Sequence, residues 1–309
     1  MTWPCRVRRG EALVPEAWGR VLQPIRIYLF TVPALLVIGA FFVYPILLSV
    51  NLSFTNFTGV GVANYIGWAN YERFLSRSRY LNSVGVTIKF TFLVVVFQTL
   101  IGLVFAALLH RMPAIRNFCR AVLFTPAMMS FVIVGYVWQF IYAPYTGGLN
   151  AFLSAIGLES LARGWLGDPS TALFAIAATH VWMFVGYTTA IFLVGFANIP
   201  SDIEEAGRLD GASSWQRFRY LELPLLAPSF TVNIILSTVG TLKTFELPFI
   251  MTRGGPDRAT NTLSLEIVNN LFGSYKFGFA SALSIVMLLI VVAVAIVQNI
   301  YLKRREDNQ

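Results

Sequence analysis

Polar side chains that can donate and accept hydrogen bonds recur at helical spacing within two long apolar segments. In one segment they stand at i, i+4, i+8 and i+11, so they would share one face of a helix. This stripe consists of Asn233, Ser237, Thr241 and Thr244. In the other segment His180, Met183 and Tyr187 stand at i, i+3 and i+7. The two sets predict either hydrogen bonding to a polar ligand or bonding to the backbone and to neighbouring helices.

The residues that nucleophilic, acid–base or metal chemistry requires are sparse and scattered. The chain has two histidines and two cysteines, and no second histidine, cysteine or acidic cluster stands near His180. We therefore predict no catalytic residues and no metal site. No Gly-Lys pair occurs in the sequence, which excludes the phosphate-binding loop of many ATPases. The chain is therefore predicted not to hydrolyse ATP and not to be an enzyme.

The elements that must position these side chains are predicted from composition. The chain of 309 residues is 56% apolar and 15% aromatic but only 12% charged, about half the charged fraction of a soluble protein. A helix needs about 20 mainly apolar residues to cross a bilayer. We thus predict an all-α membrane protein with six transmembrane helices. Their bounds are Ile27–Val50, Gly85–Leu109, Ala121–Tyr142, Thr171–Ile199, Leu225–Ile250 and Phe277–Leu302.

The distribution of basic residues predicts the orientation of these helices. Of the 23 Lys and Arg residues, 14 lie on one side of the predicted membrane, seven lie on the other, and Lys89 and Lys243 lie inside spans. Because Lys and Arg are enriched in cytoplasmic loops, both termini are predicted to be cytoplasmic. Residues 1–26 would form a basic cytoplasmic tail and residues 27–309 one transmembrane domain. The net charge of +8 is thus explained by membrane orientation rather than by nucleic-acid binding.

The segment between the fourth and fifth predicted helices is longer than a simple turn and carries helix signals of its own. Ser201 and Glu204 have the spacing of a capping box, which would open a short helix. Gly211 stands where a helix C-cap or a sharp turn is expected. A second helical segment, Ser213–Leu221, would follow and end at Pro224. These signals predict a helix-turn-helix elbow between helices four and five.

Physical chemistry leaves two functions open for this elbow. Its aromatic side chains, Trp215 and Phe218, would suit an interfacial loop that lies on lipid headgroups. A docking surface for a cytoplasmic partner is equally compatible with the pattern. The acidic residues of the first arm weigh against headgroup binding, because the cytoplasmic leaflet is negatively charged.

The elbow and several other segments resemble one protein family. The elbow motifs are Glu205–Gly207 (EAG), Asp210–Ala212 (DGA), Phe218 and Leu221–Pro224 (LELP). They are similar to the EAA loop of ATP-binding-cassette importer permeases, and especially to the carbohydrate-uptake subfamily. Further similar segments are Gly67–Tyr71 (GWANY), Gly147–Asn150 (GGLN), Met251–Pro256 (MTRGGP) and Phe279–Ser284 (FASALS). The chain departs from the family pattern at Gly207, where Ala is usual, and at Leu221, where Ile is usual.

The resemblance implies a permease subunit that works in an assembly in the bacterial cytoplasmic membrane. Its partners would be a second homologous permease, two ATPase subunits that bind ATP and magnesium, an extracytoplasmic sugar-binding protein and membrane lipid. The chain would need no cofactor of its own. The elbow would be the coupling helix pressed into a groove on the ATPase. The implied coupling residues are Glu205, Ala206, Gly207, Asp210, Gly211 and Ala212.

The resemblance also implies positions for substrate contacts. Counted from the motifs, these are His180, Met183, Phe184, Tyr187, Ser237, Thr241 and Thr244. The substrate would be a neutral mono-, di- or oligosaccharide, although glycerol phosphate transporters share the motifs. Lys243 and Glu246 stand at i, i+3 near the outer end of the fifth span. They are expected to form a local or interhelical ion pair, with contact to substrate or to the binding protein as the alternative.

Other classes of membrane protein fit less well. An ion-coupled secondary carrier is the main alternative, but it would use intramembrane acids and usually paired repeats. Only Glu246 is an acid within a predicted span, and no repeat is visible. A membrane-embedded enzyme lacks the cluster of reactive groups that it would need, and nothing marks the filter of a channel. Dependence of uptake on ATP distinguishes the importer from the carrier.

Overall fold

The computed structural model describes residues 31–306, and the predicted tail 1–26 therefore lies outside the described residues. Within that range the regular secondary structure is helical, apart from an isolated antiparallel bridge between Thr55 and Tyr65, and loops and turns join the helices. The helices are α1 Thr31–Ser53, α2 Ala69–Ser76, α3 Ser78–His110, α4 Pro113–Phe124, α5 Phe131–Ile141, α6 Gly148–Ala155, α7 Ala172–Ala197, α8 Ser201–Leu209, α9 Ser214–Leu225, α10 Ala227–Leu242, α11 Glu246–Thr252, α12 Leu263–Val268 and α13 Phe277–Glu306.

Four of these helices, α1, α3, α7 and α13, are long and apolar enough to cross a membrane. Two further pairs meet the same test only when they are taken together. The helix that begins with α4 bends by 98° into α5, and α9 bends by 64° into α10. Within residues 31–306 there are thus four candidate spans, or six if each bent pair is one span.

The third predicted span, Ala121–Tyr142, is wrong as a continuous helix. Helix α4 begins at Pro113 and passes into a 3₁₀ turn, Thr125–Met128, that contains Pro126. Proline lacks the amide hydrogen that would continue the α-helical ladder. Ser130 then begins α5, and its hydroxyl accepts a hydrogen bond from the Val132 amide at 3.2 Å. The chain therefore changes direction in the middle of the predicted span.

The fifth predicted span, Leu225–Ile250, is also interrupted. Helix α10 ends at Leu242 and is capped by Lys243, and α11 begins at Glu246. Lys243 and Glu246 therefore do not share the face of one helix, contrary to their i, i+3 spacing. The described residues of the other predicted spans agree with helices, residues 27–30 of the first span lying outside the described range. Helix α3 begins seven residues before Gly85, and α13 extends past Leu302.

By its internal contacts the chain divides into a unit up to Asn51 and a unit from Leu52 onward. In the first unit the described residues form most of α1, and no residue of its apolar window is buried. The second unit is centred on α3 and α7. A methyl group at Gly102 would meet Thr188, and one at Gly186 would meet the Leu123 backbone. Small residues thus allow the close helix approach that is typical of membrane bundles.

Candidate functional site: a polar cavity and a helix-turn-helix elbow

A cavity of about 440 Å³ lies between α3, α5, α7, α10 and α11. Six of the seven positions expected to contact substrate line this cavity; they are His180, Phe184, Tyr187, Ser237, Thr241 and Thr244. Met183 does not line it. Its side chain is 1% exposed and packs in the core that contains Phe90 and Val94. The structure therefore brings the other six predicted positions together and turns Met183 away.

One wall of the cavity is aromatic. The Phe184 ring lies 4.8 Å from the His180 ring and 5.8 Å from the Phe131 ring, measured between centroids. The Tyr187 ring lies 6.1 Å from that of Phe184, and its side chain is half exposed. Flat apolar faces of this kind can cover the apolar face of a bound ligand. Phe131 was not predicted, because it lies just after the bend between α4 and α5, and the sequence had predicted one continuous helix there.

Another part of the cavity lining is a hydrogen-bonded network that joins α3, α7 and α10. Gln98 on α3 donates through Nε2 to the Thr188 hydroxyl at 2.9 Å and to the Ser237 hydroxyl at 3.3 Å. The Thr188 hydroxyl in turn donates to Asn233 Oδ1 at 2.8 Å, and Asn233 Nδ2 donates to Thr99 at 2.8 Å. Gln98 and Thr188 were not predicted. Gln98 had a signal in sequence, since it is the one amide side chain in the uncharged segment 90–110.

Two buried polar atoms of the cavity-lining residues have no hydrogen-bond partner. They are Gln98 Oε1 and His180 Nδ1, on side chains from residues that are 4% and 6% exposed. Buried polar groups are nearly always hydrogen-bonded, and exceptions point to a missing water or ligand. Both residues line the cavity, and a small rotation of either side chain would let its unpartnered atom meet a ligand hydroxyl.

At two of the predicted positions the side-chain hydroxyl bonds to the backbone of its own chain, as the alternative to ligand binding predicted. The Thr241 hydroxyl donates to the Ser237 carbonyl at 2.7 Å, and the Thr244 hydroxyl donates to the Gly240 carbonyl at 3.3 Å. Each hydroxyl therefore retains only acceptor capacity toward the cavity. Ser237, by contrast, exchanges hydrogen bonds with the side chains of Gln98 and Asn233.

Lys243 and Glu246 also line the cavity. The ion pair expected between them is not formed, and neither side chain has an ion-pair partner within the described part of the chain. The physical reason is the helix break at residues 243–245, which removes the helical geometry that would bring i and i+3 side chains together. The expectation of a local ion pair was therefore wrong.

The elbow is confirmed as two helices, α8 and α9, joined by a sharp turn. Gly211 has φ of +74°, a backbone conformation that glycine adopts without a steric penalty. The Gly211 amide donates to the Arg208 carbonyl at 3.1 Å, and the Ala212 amide donates to the Gly207 carbonyl at 3.0 Å. These two bonds form a Schellman motif that ends α8.

The capping box predicted at the start of the elbow is wrong. Helix α8 has Pro200 as its N-cap without a side-chain cap bond, so the capping box of Ser201 and Glu204 is not formed. Glu204 lies instead 3.3 Å from His110 Nε2 at the end of α3. A capping box occurs at the start of α9, between Ser213 and Gln216.

The second arm of the elbow continues beyond the predicted end. Helix α9 runs to Leu225, because Pro224 falls in the first turn of a new helical segment that follows a π-helical stretch, Phe218–Glu222. Proline is tolerated at such a first turn. The bend into α10 therefore comes after Pro224 and not at it.

The two departures from the family pattern are neighbours in space. Gly207 is buried, and a methyl group added there would lie 2.7 Å from Leu221 Cδ1. The Leu221 side chain thus occupies the space that a side chain at position 207 would fill. The residues are fourteen positions apart, so their relation is visible only in the folded elbow.

The residues expected to contact an ATPase are largely accessible. Glu205, Ala206, Asp210 and Gly211 are exposed, Ala212 is half-buried and Gly207 is buried. A shallow pocket of about 350 Å³ includes Gly207, Asp210, Gly211 and Ala212 in its lining. Leu209 is 89% exposed beside it. An apolar side chain and a depression next to each other are features of a protein docking surface.

Two buried carboxylates were not expected from the sequence. Glu222 in the elbow is 5% exposed and lies 3.9 Å from Arg111. Glu266 on α12 is fully buried and accepts bonds from Arg79 Nε and Nη2 at 2.7 and 2.8 Å. Arg79 and Glu266 are separated by 187 positions, so no local pattern could have paired them.

Comparison with protein families gives one extended match. Residues 98–307 match the family model described as "Binding-protein-dependent transport system inner membrane component". This range covers the cavity wall that begins with Gln98, the elbow, and the last long helix.

Individual relatives and a solved structure agree with that match. The chain is 34% identical to the "Probable ABC transporter permease protein YurN" of Bacillus subtilis, over 91% of this chain and 97% of the relative. It is also 34% identical to the "Trehalose/maltose transport system permease protein MalF" of Thermococcus litoralis, over 89% and 92%. The fold is similar to a chain of a bacterial alginate ABC transporter in complex with alginate pentasaccharide-bound periplasmic protein, with a TM-score of 0.80, 19% identity and coverage of 94% and 98%.

Proposed function

The chain belongs to the family of inner-membrane components of binding-protein-dependent transport systems, and on that premise we propose that it is the transmembrane permease subunit of an ATP-driven sugar importer. It passes substrate from an extracytoplasmic binding protein into the cytoplasm. The substrate is a neutral mono-, di- or oligosaccharide. The relative named for trehalose and maltose and the neighbour named for alginate both support a carbohydrate.

The observation that carries this proposal is the composition of the cavity walls. A sugar presents hydroxyl groups at its edges and C–H groups on its faces, and it therefore needs polar and flat apolar partners together. The cavity lining combines amide and hydroxyl groups of α3, α7 and α10 with the rings of Phe131, Phe184 and Tyr187. Its volume of about 440 Å³ lies within the usual range for small-molecule sites.

The proposed assembly contains a second permease subunit and two ATPase subunits, and it sits in a bacterial cytoplasmic membrane. ATP and magnesium are bound by the ATPases, since this chain has no phosphate-binding loop. In the proposed topology the two bent pairs each count as one span, which makes six spans with both termini cytoplasmic. The elbow then faces the ATPases.

A mechanical route leads from the elbow to the cavity. Helix α9, the second arm, is followed at once by α10, and α10 carries Ser237 and Thr241 in the cavity wall. Movement of the ATPases against the exposed face of α8 would tilt α9, and the bend at Leu226 would transmit the tilt to α10. Nucleotide-driven closure would in this way alternate the side to which the cavity opens.

The test uses two substitutions of the turn glycine in the complete importer. Gly211→Pro cannot adopt φ of +74°, whereas Gly211→Asn tolerates this left-handed conformation. We expect the proline variant to reach the membrane but to lose at least about tenfold in ATP-driven uptake, while the asparagine variant retains most uptake. Normal uptake by Gly211→Pro would contradict the coupling role. Uptake by the native chain that follows an ion gradient without ATP would support the carrier instead.

A further inference from the structure

Two opposite charges line the cavity without neutralising each other. Lys243 and Glu246 are the only Lys, Arg, Asp or Glu side chains in its lining. In the described residues, no carboxylate pairs with the Lys243 ammonium and no basic group pairs with Glu246. A side-chain ammonium carries three donors, and a carboxylate accepts through two oxygens. Hydrogen-bonding capacity of both kinds therefore remains available at one wall.

The local backbone helps to keep both charges in place. Lys243 caps the C-terminal end of α10, a helix of 16 residues, where the free carbonyl groups favour a cation. Glu246 Oε2 accepts a hydrogen bond from the Phe245 amide at 3.1 Å. Each group thus has partial compensation from the backbone, so neither requires the other as a partner.

Lys243 and Glu246 share the cavity lining with two residues that carry unpartnered polar atoms. Gln98 Oε1 and His180 Nδ1 are buried without a partner in the same cavity. The residues that carry these two atoms line the same cavity as Lys243 and Glu246. A ligand that satisfies all of them must both donate and accept, as a polyhydroxylated molecule does.

We propose that Lys243 and Glu246 determine the substrate specificity of the cavity. The Lys243 ammonium donates a hydrogen bond to one hydroxyl oxygen of a neutral carbohydrate, and the Glu246 carboxylate accepts a hydrogen bond from another hydroxyl. The charges of the lining sum to zero, so the attraction of an anionic sugar to Lys243 is offset by repulsion from Glu246, and the cost of desolvating its charge is not compensated. The pair therefore selects neutral carbohydrates over acidic or phosphorylated ones, an inference that rests on the proposed function.

The test uses the complete importer, copurified with its partner subunits and binding protein and reconstituted in proteoliposomes. Radiolabelled neutral mono-, di- and trisaccharides form one probe set, and glycerol 3-phosphate with an alginate oligosaccharide forms the other. The variants are Lys243→Gln and Glu246→Gln, with Lys243→Arg and Glu246→Asp as conservative versions. Lys89→Gln and Glu72→Gln make the same chemical changes outside the cavity lining. Uptake and ATP hydrolysis stimulated by the binding protein are measured in parallel.

We expect each Gln variant to lose about 10- to 100-fold in the efficiency of neutral-sugar uptake through a higher KM, the effect of losing one hydrogen bond to a charged group. The Lys89→Gln and Glu72→Gln controls keep uptake and stimulated ATP hydrolysis within about twofold of the native importer, and the conservative variants lose less uptake than the Gln variants. Unchanged uptake by both Gln variants would overturn the inference and leave the proposed function intact. Loss of uptake only in Lys243→Gln, with the anionic probe transported, would overturn the neutral class. No ATP-dependent uptake of any probe by the native importer would overturn the proposed function itself.

Discussion

Two polar clusters in the helical bundle differ in how completely their hydrogen bonds are satisfied. In the carboxylate cluster, defined by Arg79, Asn261, Glu266 and Asn270, each oxygen of the buried Glu266 carboxylate accepts two hydrogen bonds. Only the Asn261 amide oxygen remains without a partner there. In the cavity network, defined by Gln98, Thr188, Asn233 and Ser237, the Gln98 amide oxygen is also without a partner, but all four residues line the cavity, whereas no residue of the first cluster does.

The difference separates a structural role from a binding role. Both clusters join α3 to distant parts of the chain, and both contain buried amide groups. A carboxylate that is surrounded by donors has nothing left to offer a ligand, whereas unpartnered acceptors beside a cavity do. Burial of polar side chains therefore does not identify the binding site. The site is identified by an unpartnered polar atom on a residue that lines a cavity.

The largest expected effect is the loss of the buried carboxylate. Glu266→Ala leaves Arg79, whose side chain is 39% exposed, and two buried Asn donors without their acceptor, and each buried donor left unsatisfied costs about 1–3 kcal/mol of stability. Thermal unfolding of the detergent-purified protein should show a markedly lower midpoint, together with a low yield from membranes. The exposed Glu72 on α2 is the control, and Glu72→Ala should change neither. A native-like unfolding midpoint for Glu266→Ala would contradict the structural role of the cluster around Glu266.

An intermediate effect on stability is expected in the cavity network. Gln98→Ala removes the donor of two interhelical bonds, which costs about 1 kcal/mol in a membrane bundle. Uptake should fall about tenfold, because the same side chain lines the cavity and has an amide oxygen without a protein partner. Gln298 is a matched control, since it donates to Thr238 at 2.9 Å and does not line the cavity. If Gln298→Ala reduced uptake as much, the cavity would have no special role.

The smallest expected change in stability is at Ser237. Its side-chain hydrogen bonds of 3.3 and 3.4 Å are long, so Ser237→Ala should cost no more than about 0.6 kcal/mol. Uptake should nevertheless fall several-fold, with an unchanged unfolding midpoint. Ser284, whose hydroxyl donates to its own helix at the Ala280 carbonyl, is the control outside the cavity. Equal uptake by Ser237→Ala and Ser284→Ala would show that a cavity hydroxyl is dispensable.

Much of the candidate site was predictable, because it depends on local spacing. The polar stripe of α10, the face of α7 that carries His180 and Tyr187, and the turn at Gly211 all follow from helical periodicity and glycine geometry. The long spans were predictable for a similar reason, since apolar length is a local property. The prediction failed where the backbone breaks, at Pro126 to Ser130 and at Lys243 to Phe245.

The amino-acid sequence by itself determined which residues can share a face, where the elbow turns, and that most of the chain is apolar helix. Only the tertiary structure decided which neighbour each face meets. Met183 and His180 share a helix face, yet one packs in the core and the other lines the cavity. The pairs Gly207 with Leu221 and Arg79 with Glu266 are likewise set by helix packing. Local spacing fixes directions along one helix, whereas distances between helices depend on where they bend and cross.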